Sequence, residues 1–538
     1  MKRYKLLAVT ALGIITFTGC TNLDETPYTF TSPSNFYKDA NELDQSLMST
    51  YNAFRSMAGN WQNIMRLEGC TEFGQPARSP KNDNQNINDW YNINSASNSF
   101  GNMWGRAYVA INYANTVLNR GEGINMDATK KAQMFAQARF LRAYCYYYLV
   151  RIFGGVPIVE HMTTSNEGLE VARNTVPETW DFIHKDLEYA EANLPEKGTS
   201  GYAAWRPTKA AVQALLGEAY LWRASMEDNS DFLKKSAEYS KKVIDSGKYS
   251  LLQDYKQLWH MFAGEAAKYN EEAIYELAYA AISGQDNQMH RMFGCFGDSY
   301  YRAPDQGIDG VADEGGGSYF YLRTGPSIYA YESYADNDVR KQVFVTHGIA
   351  KKGDIQTYME FVPEDKGHFP GTKGWQSCTP GNGKYYDFKT SASMLLSGNN
   401  WMLLRYSEVL LNYAEALNNM GQTAEAVKYL NMVHQRAGLA PITASDKESV
   451  DDAIFQERGW EFIGEGKIYF DELRTDRLGK NVYEFLKRGV AEKMNYFRPA
   501  SFIPQKSFIW KIPQGDKDSN PLLEQNPDQM SDPRFPLN

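Results

Sequence analysis

The chain has 538 residues, a formal net charge of −9 and no long basic run, which excludes a nucleic-acid binder built on a basic stripe. Beyond residue 20 no stretch is apolar enough to cross a bilayer, which takes about 20 apolar residues, so a soluble body tied down only at its start is expected. Tyrosine (36) outnumbers phenylalanine (27) and tryptophan (11), and a side chain with an apolar face and a polar tip suits flat, hydroxylated ligands, although most of these rings are expected to line helix contacts.

Lys2, Arg3 and Lys5 form a basic head, Leu6 to Phe17 an apolar run, and Thr18-Gly19-Cys20 a small-residue cut site. These regions describe a secretory signal over residues 1–19, with Cys20 as the lipid anchor of the mature chain. Two or more acyl chains hold a protein stably where one does not. Phe17 stands where leucine is usual before such a cysteine, and the alternative is a plain signal peptide with Cys20 as a bystander.

Residues 21–35 read as a polar tether, and Asn41–Arg55 as a helix. From Ala58 to Gly101 Asn, Ser, Gly and Pro surround Trp61, Trp90 and Tyr91, and a long functional loop is predicted. Helices follow at Trp104–Arg120, Ala128–Phe153, Pro177–Asn193, Pro207–Met226 and Phe232–Asp245. In the second of these Ala138, Leu141, Cys145 and Leu149 share one face, and the Gly154-Gly155 pair with Pro157 stops it. Asn174 or Thr175 caps the third, with Pro177 in its first turn. Periodicity fades between Leu251 and Asn400, where an irregular lobe with short strands is expected. Leu403, Tyr406, Leu410, Tyr413 and Leu417 then form a helical stripe that ends at Gly421. Thr423 is expected to cap Ala424–Gln435, closed by Gly438, and Ala414, Ala416, Ala424 and Ala426 let the two helices approach as a tetratricopeptide-like pair. Asp451–Gly464 and Lys467–Arg488 suggest a further pair, and the tail from Pro513 reads as extended. The expected organisation is one mainly α body over residues 20–538. It has a helical scaffold at about 36–250 and 401–490, an irregular ligand lobe at about 251–400 and an extended tail at about 510–538. Cys70, Cys145, Cys295 and Cys378 make no CxxC pair, so no zinc or redox motif is present; their pairing stays open, with Cys145 expected as a buried thiol.

Six blocks in order resemble the SusD/RagB family of outer-membrane lipoproteins. They are FAQARFLRAY at 135–144 running on to LVRIFGGVP at 149–157; RPTKAAVQALL at 206–216 with EAYL at 218–221; LRYSEVLLNYAEALN at 404–418; Leu430-Asn431 with QRAGL at 435–439; QER at 456–458 with Glu461-Phe462, Glu465-Gly466 and DELR at 471–474; and Ile512-Pro513, Asn520-Pro521 and QNP at 525–527. Gly459, Trp460 and Lys467 depart from the charged or arginine residues common at those places. The resemblance implies a helical scaffold with tetratricopeptide-like pairs and a loop-rich ligand lobe. It also implies anchorage on the outer face of the outer membrane, and work as a lid that delivers oligosaccharides to a SusC-like, TonB-dependent transporter. Some members of the family bind peptides instead. Asp24 and Glu25 fit the acidic tract that sends such lipoproteins to the outer face. The blocks themselves are structural, and Arg405, Glu415 and Arg436 read as ion pairs between helices.

Glycan capture needs rings that stack on a sugar face and planar polar groups that bond its hydroxyls, carried on loops of a rigid scaffold. Starch-binding members draw their contacts from two regions that qualify here. Arg66, Glu68, Glu72 and Arg78 precede Trp90, Tyr91 and Asn94; in the second, Tyr300, Tyr301 and Arg302 precede Tyr319, Tyr321 and Arg323; Trp375 is a further candidate. For Trp90 the alternative is an inward-packed loop anchor. Asp309, Asp313 and Glu314 could hold a calcium ion but have no recognisable loop spacing, so a solvated acidic loop is favoured and no metal or cofactor is expected.

No nucleophile elbow, HExxH, P-loop or dinucleotide fingerprint occurs, so a binding protein rather than an enzyme is expected. A glycosidase working through two carboxylates, and a peptide-binding helical scaffold, stand as the rival readings.

Overall fold

The computed structural model describes residues 36–76, 90, 100–164, 170–227, 229–289, 324–351, 354–360, 381–385, 397–491, 500 and 502–537. Cys20, Arg78, Tyr91, Asn94, Tyr300, Tyr301, Tyr319, Tyr321, Trp375, the acidic trio at 309–314, Cys295 and Cys378 lie outside the described residues.

Helices dominate. On the N-terminal side they are α1 (Ala40–Ala58), α2 (Trp61–Gly69), α3 (Gly101–Gly121), α4 (Ala128–Phe153), α5 (Val176–Asn193), α6 (Lys209–Glu227) and α7 (Ser230–Asp245). The short α8 (His260–Ala263) and α9 (Ile328–Ser333) sit in the central region. On the C-terminal side come α10 (Tyr406–Asn419), α11 (Thr423–Arg436), α12 (Lys447–Phe462), α13 (Ile468–Arg474), α14 (Leu478–Ala491) and α15 (Gln514–Ser519). The closest helix pairs are α1 with α3, α4 with α5, α6 with α7 and α10 with α11, and α10 lies against α7 and α12, so the two halves of the sequence form one stack. This is the tetratricopeptide-like scaffold expected from the repeats.

From Phe140 to Phe153 every residue of α4 is buried. Tyr144, Tyr146, Tyr147 and Tyr148 supply both apolar bulk and polar tips, and the two buried arginines of this stretch are matched, Arg142 to Asp186 and Arg151 to Glu218. The Tyr146 hydroxyl accepts the Val159 N–H at 2.8 Å, which fixes the chain just past the Gly154-Gly155 break. Of the two caps the sequence offers, Thr175 is the one used, in a reciprocal capping box with Glu178 at the start of α5; Asn174 instead accepts the Ile158 N–H.

Among the described residues seven short strands complete the fold. β1 (Gly74–Pro76) pairs antiparallel with β3 (Thr324–Pro326), and β2 (Ala273–Leu277) with β7 (Trp401–Arg405). β4 (Phe344–Lys351) lies between β5 (Asp354–Glu360) and β6 (Gly381–Asn382). Among the described residues no helix is long and apolar enough to cross a membrane, and no group of three or more His, Cys, Asp or Glu is placed to hold a metal. Cys70 and Cys145 are buried free thiols.

Five expectations need correction. α2 lies inside the predicted loop: Asn60 caps it by accepting the Gln62 and Asn63 N–H groups, and Ile64, Met65 and Leu67 bury its inner face. Leu403 belongs to β7, because the backbone stays extended through Arg405 and the helix starts only at Tyr406. Thr423 is the first residue of α11 rather than its cap, and its hydroxyl donates to Asn418 Oδ1 at 2.7 Å. The span Lys467–Arg488 is two helices, broken where Asp476 takes a φ of 60°. The tail includes the short α15 before it extends.

Candidate functional site

The described members of the N-terminal candidate set sit below the surface. Trp90 is fully buried and its indole N–H donates to the Cys70 carbonyl at 3.1 Å. Its ring lies 5.8 Å from that of Trp510 in a stacked arrangement and 5.3 Å from that of Phe508. A left-handed φ of 49° at a tryptophan is strained, and this packing over-determines it. Trp90 is therefore the inward-packed anchor of its loop, not a platform open to solvent. Arg66 and Glu72 are buried as well. Asn481 donates to both Glu72 and Glu472, whose carboxyls face one another. Burial pushes the Glu72 carboxyl upward, and burial together with the nearby Glu72 charge does the same to Glu472. Glu68 accepts the Gly464 and Gly466 N–H groups at 3.0 and 2.6 Å, and burial raises its pKa to about 7. Glu68 and Glu72 thus bind α2 and the turn after it to the C-terminal helices.

The conspicuous charges of the C-terminal blocks form the ion pairs expected of them. Arg405 contacts Glu272, Glu461 and Glu465; Arg436 contacts Glu272 and Glu461; Glu415 pairs with Arg474. Lys384, from the central region, enters the same buried cluster and donates to Glu465 at 2.8 Å. Neighbouring guanidinium groups hold the Glu461 and Glu465 carboxyls below the usual range against the opposing effect of burial.

The clefts lined by described residues include two that combine arginines with aromatic rings. One, of about 340 Å³, lies among α6, α7, α10, α12 and α13, but its arginines are already matched: Arg458 to Asp471, Arg474 to Glu415 and Arg477 to Asp452. The other, of about 430 Å³, lies between the end of α1, the start of α2, the first turns of α3 and the turn after β2. Half-buried Trp61 and Tyr279 supply rings; Asn52, Asn60, Gln62 and Gln288 supply amides; Arg55, Arg106 and Asp286 supply charge. The groups are held in place. Arg55 lies 5.3 Å from the Tyr279 ring centre and donates to the Ala278 carbonyl at 3.2 Å and to Asn52 Oδ1 at 2.9 Å. Gln62 accepts from Asn102 at 2.8 Å, and Arg106 donates to Ser56. The Tyr279 N–H donates to Asn400, which ties this wall to the approach of β7. A concave site with rings and convergent planar polar groups is a general small-ligand geometry.

Arg55, Arg106 and Tyr279 are absent from the candidates read off the sequence. Arg55 in the last turn of a helix reads as a partner of the helix dipole, and Arg106 as an ordinary exposed helical position. The available signal was an asparagine cap followed at once by a tryptophan at the first position of α2, where burial is incomplete.

Comparison with known proteins follows the same outline. Residues 271–528 match the SusD family, and residues 22–221 match a family described as starch-binding and associating with the outer membrane. The chain belongs to the SusD family. SusD-like protein P2 of Formosa agariphila is 27% identical over 501 residues, covering 90% of this chain and 92% of that protein. The starch-binding protein SusD of Bacteroides thetaiotaomicron is 31% identical over 199 residues, 36% of this chain and 33% of that one. The crystal structure of a SusD homolog from the same species superposes with a TM-score of 0.74 at 23% identity, covering 93% of this chain and 99% of the other, and so shares the SusD fold.

Proposed function

We propose that this SusD-family protein is a glycan-binding lipoprotein of the outer membrane, anchored through Cys20 and facing the cell exterior, that hands saccharides to a SusC-like, TonB-dependent transporter. The observation that carries the reading is the cleft where Trp61 and Tyr279 stand among amides and arginines on rigid helix ends. Family membership supports it, since one of the two matching family descriptions is of starch-binding proteins. The cleft adjoins the expected ligand loops along the chain: Gln288 comes just before the segment with Tyr300, Tyr301, Tyr319 and Tyr321, and α3 follows the one with Arg78, Tyr91 and Asn94. Those residues and Trp375 complete the proposed contact set. The role is binding without turnover.

Native gels cast with a panel of polysaccharides test the reading. At least one glycan should retard the protein, and Trp61→Ala or Tyr279→Ala should weaken that retention about 10-fold. No retardation by any glycan together with tight binding of peptides would overturn it, as would reducing ends accumulating in the mixture. Cys20→Ser should release the protein from the membrane fraction, and a tagged wild-type chain should bring down a β-barrel transporter.

A further inference from the structure

The charge arrangement of the cleft narrows the class of ligand. Resting on the glycan-binding reading above, we infer that the cleft takes an anionic saccharide, with Arg55 and Arg106 bonding a carboxylate or sulfate while Trp61 stacks on a sugar ring.

Guanidinium groups on this acidic chain are generally matched to carboxylates: Arg142 to Asp186, Arg206 to Asp44, Arg223 to Asp181 and Glu227, Arg477 to Asp452, Arg534 to Asp476 and Asp532. Arg55 and Arg106 differ. Among the described residues the hydrogen bonds of Arg55 go to neutral acceptors, the Ala278 carbonyl and the Asn52 amide oxygen. Those of Arg106 go to the carbonyl and hydroxyl of Ser56, the residue next to Arg55 on α1. The two cations therefore flank one turn of α1 and face one cleft.

Among the described residues of the cleft wall the one carboxylate is Asp286, which accepts the Gly284 N–H of its own turn at 3.2 Å. Two positive groups against one negative leave the described lining with an excess of one positive charge, on a chain whose formal charge is −9. An arginine presents five N–H donors in a planar fork that matches carboxylate and sulfate oxygens. The contacts already made by Arg55 and Arg106 fix the forks without using them up, so little ordering cost remains for a ligand. A neutral sugar needs amides and rings, which the cleft also has; it has no use for two cations that are paired with no carboxylate among the described residues.

The test is calorimetric titration of the soluble mature chain with oligomers of three kinds: uronate-containing, sulfated, and neutral. The uronate oligomers are also used after chemical reduction of their carboxyls. Binding of uronate or sulfated oligomers at least 10-fold tighter than neutral ones supports the inference, and whichever anionic class binds names the group. Arg55→Gln and Arg106→Gln should each weaken that binding about 10-fold and weaken binding of the carboxyl-reduced or neutral oligomer several-fold less, with the thermal unfolding of both variants as the control for folding. Affinity for the anionic ligand should fall as NaCl rises. Binding of neutral oligomers alone, or anionic binding unchanged in both variants, would overturn the inference and leave glycan binding standing. Failure of every oligomer would overturn both.

Discussion

Arg405, at the end of β7, grips Glu465 with two parallel bonds: Nη2 lies 2.9 Å from Oε1 and Nε 3.0 Å from Oε2. Both side chains are almost wholly shielded from water. The pair joins the strand that carries the edge of the central region to the turn between α12 and α13. Glu272, Glu461, Arg436 and Lys384 extend it into a cluster in which each charge is stabilised only by its neighbours.

Arg405→Met should therefore be severely destabilising. It keeps much of the volume but leaves Glu461 and Glu465 short of a counter-charge, and breaking a buried pair by removing one partner costs about 3–5 kcal/mol. Urea unfolding at neutral pH is the measurement, and a loss under about 1 kcal/mol would contradict it. In the wild type, Glu461 and Glu465 hold their protons less tightly when folded than unfolded. Their contribution is thus present above the ordinary glutamate range and is lost as pH falls through the depressed folded values.

Trp90→Ala should act on stability. Removing a fully buried tryptophan from a cluster with Phe502, Phe508 and Trp510 opens a cavity worth about 3–5 kcal/mol. Thermal unfolding should show a clear drop, with Trp90→Phe intermediate. A variant with an unchanged melting temperature and abolished glycan binding would restore Trp90 as a contact residue.

That contrast marks how far the sequence was legible. The length of α4, a cap at Thr175 and the ion-pairing role of Arg405, Glu415 and Arg436 all follow from local spacing or from block order. α2 was hidden because Asn60 and the Asn-rich residues after Pro80 give the whole stretch a loop's composition, although Ile64, Met65 and Leu67 carry a helix-compatible pattern. The cleft was hidden for a different reason. Arg55 and Tyr279 meet only because β2 pairs with β7 and sets the following turn against the end of α1, 224 positions away in sequence by subtraction of the two residue numbers. No periodicity in one segment records a contact made by packing two distant ones.

Glu276→Gln should flatten part of the pH dependence of stability. Burial raises the Glu276 carboxyl to about 7, although Asn400 and the Tyr269 N–H both bond its Oε2. A folded pKa above the ordinary value means that the folded state holds the proton more tightly. Its contribution is full below about 4.5 and is lost as pH rises through about 7. Glutamine preserves an oxygen acceptor and cannot ionise. Between pH 5 and 8 the variant should lose less stability than the wild type, by an amount on the order of 1 kcal/mol. Glu68 and Glu408, also raised to about 7, keep some slope in place. Parallel wild-type and variant curves would refute the assignment.

Gly59→Ala probes the cleft without replacing any of its rings, amides or charges. Gly59 follows α1 with a φ of −89°, which alanine adopts freely, and its N–H donates to the Arg55 carbonyl at 2.9 Å. A Cβ there would stand 2.0 Å from the Tyr279 hydroxyl and 3.1 Å from Leu277 Cδ1. The hydroxyl is the far end of a side chain on the cleft wall, so the ring must swing while its backbone stays tied to Asn400. Arg55 lies over that ring and moves with it, so one methyl group displaces both an aromatic wall and a cation. Glycan affinity should fall about 10-fold, or about 1.4 kcal/mol, with the melting temperature little changed because no buried polar group loses its partner. Gly59→Ala with Tyr279→Ala should be no weaker than Tyr279→Ala alone, since the clash is then gone. Independent, additive losses in the double variant would place the binding site elsewhere on the protein.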